Sequence, residues 1–145
     1  MRAIVAVDKK WGIGKNNDLL FSIPADMKFF RSTTLNKIVV MGGNTLRSFP
    51  NGNPLKNRVN IVLSRTIERQ DCTVVKSYTD LLRELKKYPT DEIYIIGGAS
   101  VYKEMLQYCD EVLVTKVDAD GNADVFFENL DNRDDFSLIS ESEKI

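Results

Sequence analysis

One carboxylate in this chain has surroundings that call for chemistry. In Asn17-Asp18-Leu19-Leu20-Phe21-Ser22-Ile23-Pro24-Ala25-Asp26-Met27-Lys28-Phe29-Phe30, an apolar run ends at a proline and an acid follows two residues later. Pro24 suits the first turn of a helix. Asp26 then lies in that turn, with Phe30 and Thr33 at i+4 and i+7 on its face. An acid sharing a face with Phe30 points into an apolar space. A buried carboxylate needs a partner that answers it with hydrogen bonds or charge. An acid at a helix start also offsets the helix dipole, so Asp26 alone does not decide its own role. The second chemical feature is glycine. Met41-Gly42-Gly43-Asn44-Thr45 and Ile96-Gly97-Gly98-Ala99-Ser100 each follow an apolar run and precede an expected helix. Gly12-Ile13-Gly14 forms a third, weaker case. Glycine lets a ligand approach the backbone, and free N–H groups at a helix start attract phosphate. None of these is a GxGxxG fingerprint or a Walker sequence, and a tight turn explains each one equally well. Two of them on the carboxyl ends of parallel strands point to a ligand crevice.

The elements that must position these residues alternate in type. Ala3-Ile4-Val5-Ala6-Val7 reads as a strand covered on both faces, ending at Asp8. Lys9 to Ile23 reads as a long loop, and long loops in compact domains tend to be functional. A helix is expected over Pro24 to Thr34, then a buried strand over Lys37 to Met41 and a short helix over Asn44 to Phe49. Strands follow at Val59 to Ser64 and Cys72 to Val75. Ser77-Tyr78-Thr79-Asp80 reads as a capping box opening a helix to about Lys87. Glu92 to Ile96 is a fifth strand, Ala99 to Leu106 a helix, Glu111 to Val117 a sixth strand, and Phe136 to Ile139 a candidate seventh. This alternation argues an α/β fold with a mostly parallel central sheet flanked by helices on both faces.

Composition closes off several function classes. At 145 residues the prior is a single domain over residues 1–145. Such a chain can bury a core without disulfides or metal. The net charge of −1 leaves no footprint for nucleic acid. The absence of histidine removes His-based triads and the usual zinc sites. Cys72 and Cys109 lie in no motif and read as free thiols. The apolar runs are too short to span a bilayer and no signal sequence precedes Met1, so membrane partners are not expected and the cytoplasm is the default location.

Taken in order, these pieces resemble bacterial dihydrofolate reductase. The resemblance rests on Ile4 to Asp8, Gly12 to Asn17, Ile23-Pro24-Ala25-Asp26, Val40-Met41-Gly42, Arg58 to Ser64, Ile95 to Tyr102 and Thr115 to Asp120. It covers residues 1 to about 140. It implies hydride transfer from NADPH to C6 of 7,8-dihydrofolate with protonation at N5, giving tetrahydrofolate, and no metal. Asp26 resembles the family's active-site acid, and Thr115 its partner from the sixth strand. Leu19 and Phe21 belong to the loop expected near the reacting atoms. Ile4, Val5, Met27, Phe30, Phe49 and Leu55 match positions around the pterin and aminobenzoyl rings. Arg58 matches the arginine that binds the glutamate carboxylate, a bidentate task suited to guanidinium. Cofactor positions are matched by Ala6, Ile13, Gly14, Asn17, Leu19, Gly42, Gly43, Asn44, Thr45, Leu63, Ser64, Arg65, Lys76, Ile96, Gly97, Gly98, Ala99, Ser100, Val101 and Tyr102. Among them Ser64, Arg65 and Lys76 match the 2′-phosphate region. The resemblance also implies a cis peptide between Gly97 and Gly98.

The chain departs from that pattern in four places. Leu20-Phe21 stands where Pro-Trp is usual, so Phe21 keeps an aromatic but lacks the indole N–H of a water-mediated pterin contact. Gly43 replaces a usual arginine and Ser100 a position that is often basic, which implies a weaker NADPH preference. The family normally continues for another strand after a segment like Phe136 to Ser140. Without it, the sixth strand is expected to keep an unpaired edge near Thr115, with a monomer able to self-associate there. Two other readings remain open. One is a reductase of the same fold acting on another pterin or a ribityl-pyrimidine, against which Arg58 and the Asp26–Thr115 match argue. The other is a non-catalytic nucleotide- or folate-binding relic.

Overall fold

The structure is a computed structural model that describes residues 1–15, 18–19 and 24–138. Its main sheet contains β1 (Arg2–Val7), β4 (Ile38–Gly42), β5 (Val59–Leu63), β6 (Thr73–Val75), β7 (Ile93–Gly97) and β8 (Glu111–Lys116). The spatial order is β6-β5-β4-β7-β1-β8, with every neighbouring pair parallel. Between these strands run α1 (Pro24–Thr34), α2 (Gly43–Ser48), α3 (Tyr78–Leu85) and α4 (Ala99–Met105). Parallel strands covered on both sides are apolar throughout, and the strict period of two divides their side chains between two cores. Val5, Val40, Ile61 and Ile95 meet Leu81 and Leu85 of α3 and Met105 of α4. Ile4, Val39, Met41 and Val62 meet Leu46 of α2, with Phe30 of α1 packed against them.

Right-handed crossovers account for this division. The chain steps outward from β1 through β4 and β5 to β6, then reverses through β7 to β8. Outward steps put α1 and α2 on one face, and the reversal puts α3 and α4 on the other. The neighbours β4, β7 and β1 therefore send their chains to opposite faces, and a crevice opens at their carboxyl ends.

Two expectations are corrected. The stretch from Lys9 to Ile23 is not wholly loop: it contains β2 (Gly12–Lys15) and β3 (Asp18–Leu19). These pair antiparallel, and β2 also pairs with β9 (Val125–Phe126), giving a small sheet in the order β3-β2-β9. Its strands are too short and too rich in glycine for alternation to reveal them. Phe136 to Leu138 form no strand, and Ile139 lies outside the described residues. Phe136 instead packs against the core, with the Arg133 guanidinium 5.1 Å from its ring centre. Among the described residues β8 pairs only with β1. No helix among the described residues is long and apolar enough to cross a membrane.

Candidate active site

Helix α1 forms with the bounds expected from Pro24, and its burial follows the Asp26–Phe30–Thr33 spacing. These three are half-buried, while Met27, Lys28, Phe29, Arg31 and Ser32 between them are exposed. The partner of the Asp26 carboxylate is Thr115 of β8, whose hydroxyl donates to Oδ1 at 2.7 Å. Register places Thr115 opposite Ala6 of β1, near the carboxyl end of both strands. One carboxylate oxygen is thus held by the protein at the mouth of the crevice.

The glycines face each other across the same mouth. Gly97 ends β7 with φ +124°, a conformation that side chains rarely adopt, and its peptide to Gly98 is cis as expected. A Cβ on Gly97 would lie 3.2 Å from Tyr102 Cε2 and 3.5 Å from Thr45 Oγ1. A Cβ on Gly42 would meet Val101 Cγ2 at 3.4 Å. Bare backbone therefore lines the floor between β4 and β7, with the Thr45 hydroxyl beside it. A flat ring and a diphosphate fit such a floor, because a bound group can approach main-chain N–H groups without meeting side chains. Ile96, Val101 and Tyr102 are buried beneath it, and Ala99 and Ser100 begin α4 beside it.

Tyr102 joins this floor to β1. Its hydroxyl donates to the Ile4 carbonyl at 2.7 Å inside the core. Burial drives the phenol pKa upward, and the nearby Asp26 charge pushes it the same way, so the group stays a neutral donor. Val5 is buried and Ala6 half-buried on the same strand.

Arg58 is anchored at the carboxyl end of α1. Its Nε donates to Thr34 Oγ1 at 2.9 Å, one Nη to the Lys56 carbonyl at 2.7 Å and the other to the Arg31 carbonyl at 3.0 Å. Three of its five N–H donors hold the fork in place, which leaves one on each Nη for a carboxylate. Partial burial, and then the Arg31 charge, lower its pKa, and a guanidinium remains charged regardless. Phe49 and Leu55 pack half-buried on the α1–α2 side of the sheet with Phe30. Met27 is 50% exposed at the rim.

The remaining expected cofactor residues divide by place. Gly43, Asn44 and Thr45 lie in α2, and Leu63 ends β5. The Ser64 hydroxyl accepts from the Thr66 and Ile67 amides at 3.2 and 3.1 Å, closing a turn. Lys76 folds over that turn, donating to the Arg65 and Ile67 carbonyls at 3.4 Å each. Arg65 is exposed on it. The Cβ position of Gly43 lies 2.9 Å from Ile67 Cδ1, so the turn packs directly over this glycine. Ile13 and Gly14 lie in β2, apart from the α2 group. Of Leu19 only the backbone, in β3, is described. Asn17 and Phe21 lie outside the described residues. Among the described residues no cluster of His, Cys, Asp and Glu could hold a metal ion.

Three structuring residues escaped the sequence reading. Asn60 is 6% exposed and exchanges hydrogen bonds with the Leu55 main chain, while also donating to the Arg58 carbonyl. Its signal was a lone amide inside Val59-Asn60-Ile61-Val62-Leu63, since buried polar groups must be paired. The Tyr102–Ile4 bond had no such signal. Asp8, 2% exposed, had one: an acid closing an apolar strand just before a glycine-containing turn.

Comparison with known proteins agrees with this geometry. A family model described as Dihydrofolate reductase matches residues 1–145. Dihydrofolate reductase of Bacillus subtilis is 36% identical over 139 residues, covering 94% of this chain and 80% of that protein. Dihydrofolate reductase of Haemophilus influenzae is 35% identical over 128 residues, covering 88% of this chain and 78% of that protein. A protein of Mycoplasmoides gallisepticum named segregation and condensation protein A is 32% identical over 145 residues, covering 99% of this chain but 24% of that protein.

Proposed function

This chain belongs to the dihydrofolate reductase family and reduces dihydrofolate to tetrahydrofolate with a nicotinamide cofactor, and on that premise we propose that the cofactor is NADPH and that Asp26 holds the pterin. The observation that carries this reading is the Thr115–Asp26 hydrogen bond of 2.7 Å beside the bare glycine floor. Asp26 Oδ1 is turned toward Thr115, and Oδ2 is the oxygen offered to an amino-pyrimidine edge. Ionised, it accepts hydrogen bonds from that edge and favours a protonated pterin.

NADPH would supply the hydride when bound. Gly97 and Gly98 would bear the nicotinamide, with Thr45 and Ser100 toward the diphosphate. Ser64, Arg65 and Lys76 would face the 2′-phosphate. Tyr102 fixes the floor from below. Phe30, Phe49 and Leu55 supply an apolar wall, which lets two flat rings meet in attack geometry without many catalytic groups. Arg58 offers its two remaining Nη donors to the glutamate carboxylate. The pterin and the carboxylate tail would thereby be set toward opposite ends of α1, about 12 Å apart by the rise from Asp26 to Thr34.

We also read the enzyme as one domain, monomeric and cytoplasmic. The free thiols Cys72 and Cys109 suit a reducing compartment. The test of the proposed function is oxidation of NADPH by the purified protein with dihydrofolate, repeated with NADH. Dihydrofolate-dependent oxidation faster with NADPH supports it. Equal rates with both cofactors remove the NADPH assignment.

A further inference from the structure

Asp8 is a nearly inaccessible charge that the reading above does not use. Its Oδ1 accepts from the Lys10 amide at 2.9 Å and the Gly12 amide at 2.7 Å. Its Oδ2 accepts from the Gly121 amide at 3.0 Å, 113 residues further along the chain. The first two bonds shape the turn from β1 into β2, and the third ties that turn to the segment before β9. The space is built around the carboxylate. A Cβ on Gly12 would lie 3.0 Å from both Asp8 oxygens and 2.4 Å from Ala123 Cβ, so only glycine seats there. Main-chain bonds extend the link: Lys9 N to Ala119 O at 2.9 Å, Asp124 N to Gly14 O at 3.0 Å and Phe127 N to Trp11 O at 2.8 Å.

What is being held is a wall of the crevice. Asp8 follows Val7 directly, and Val7 is one register step beyond the Ala6–Thr115 pair. From there β2 departs against β1, and β3 lies against α2, the glycine-led helix after β4. The β2 and β3 strands therefore run from the β1–β8 side of the site to the β4 side. Among the described residues β2 and β3 pair with no strand of the main sheet, and the Asp8 carboxylate is the side chain that anchors their inner end.

We propose that Asp8 is a positioning residue for hydride transfer: its carboxylate clamps the β1–β2 turn to the segment around Gly121 and thereby sets β2 and β3 at the mouth of the active site. The proposal rests on the reductase reading given above. It concerns neither pterin nor cofactor contacts, since Asp8 touches only main-chain amides.

Asp8→Asn is the selective probe. The asparagine oxygen can still accept from Lys10 and Gly12, but the new NH2 meets the Gly121 N–H and that bond is lost. Asp8→Ala loses all three. Leu85→Ala, in the α3 core away from the site, serves as a control of similar destabilisation. With NADPH and dihydrofolate, kcat is expected to fall about 10- to 100-fold in Asp8→Asn, the scale of a small misplacement of reacting groups. The dihydrofolate KM should stay within about twofold, and Leu85→Ala should keep kcat below its own melting range. Amide exchange at Gly121 should accelerate in Asp8→Asn while that at Gly12 does not. The proposal is overturned if Asp8→Asn keeps wild-type kcat, or if Leu85→Ala loses as much. Should Asp8→Ala fail to fold, Asp8→Asn and the exchange measurement still decide. Failure of the reductase reading is separate, since wild-type protein would then show no turnover.

Discussion

The Thr115 hydroxyl donates to Asp26 Oδ1 at 2.7 Å, joining residues 89 apart in the chain. This bond ties α1 to β8, an edge strand of the described sheet, at the crevice mouth. A hydrogen bond to a charged group contributes about 1.5–3 kcal/mol, so it fixes which oxygen of Asp26 faces the pterin. Thr115→Val keeps the branched shape and removes the donor. The dihydrofolate KM is expected to rise about 10- to 100-fold by that energy. Steady-state kinetics with saturating cofactor check this, with the NADPH KM as the internal reference.

Asp26→Asn removes the charge but keeps the size. Turnover at pH 7 should fall by roughly 10²-fold or more, as loss of a positioned acid does. It should partly recover at low pH, where solution supplies the proton that Asp26 favours on the pterin. A kcat profile over the acid and neutral range tests this. Near-normal turnover at pH 7 would remove Asp26 from the mechanism.

Asp8 links pH to stability in a definite direction. Burial pushes its carboxyl pKa up, but hydrogen bonds from the Gly121, Gly12 and Lys10 amides outweigh this and hold it below the usual range. Asp120 opposes them through its charge, and that carboxylate is itself paired with Lys10 Nζ at 2.9 Å. A depressed pKa in the folded state contributes stability that is fully present above the unfolded value, about 3.9, and is lost as pH falls through the folded one. The melting-temperature gap between wild type and Asp8→Asn should therefore be constant from about pH 5 upward and shrink below about pH 4. Thermal melts across that range check it. A gap that widens in acid would contradict the assignment.

The parallel sheet was legible because its strands are continuous apolar runs punctuated by glycine, and two covered faces leave no other use for them. Helix α1 was legible down to its ends from Pro24 and the Asp26–Phe30–Thr33 face. The β2, β3 and β9 strands were not. The β2 and β9 strands are held by Asp8 and by pairing between residues about 110 apart, as Gly12 with Phe126, which no local pattern can announce, and β3 is a two-residue strand against β2. Phe136 to Leu138 misled for the converse reason: alternation is necessary for an edge strand, but Phe136 had Arg133 and the core to pack on. In the site, the resemblance put Asp26 with Thr115, and the geometry joined them. The bracing by Asn60 and the Tyr102–Ile4 bond depend on contacts made only in the fold.

Cofactor discrimination should rest on the turn that Ser64 closes. Gly43 offers no charge there, and Ile67 packs over it at 2.9 Å from its Cβ position. Arg65 and Lys76 remain. NADPH should be preferred over NADH by roughly 10- to 10²-fold, about 1.4–2.7 kcal/mol. Arg65→Ala should shrink that ratio through the NADPH KM while leaving NADH kinetics alone. An unchanged ratio would move the 2′-phosphate elsewhere.

Gly97 and Gly98 should respond to alanine in different ways. Gly97 has φ +124°, and an added Cβ would press Tyr102 Cε2 at 3.2 Å, on the ring that donates to Ile4. An alanine there carries a backbone cost of about 1–3 kcal/mol, enough to lower the melting temperature by roughly 3–10 °C. Gly98 has φ −87°, outside the left-handed region, and its Cβ would meet only Thr45 Oγ1 at 3.6 Å. Gly98→Ala should therefore melt within a few degrees of wild type, roughly the effect of a surface change. Its methyl group would nonetheless stand on the floor proposed for the cofactor and raise the NADPH KM, with the dihydrofolate KM unmoved. Melting curves and cofactor titrations on the two variants check both halves. A Gly98→Ala protein with normal NADPH kinetics would place the cofactor away from this floor.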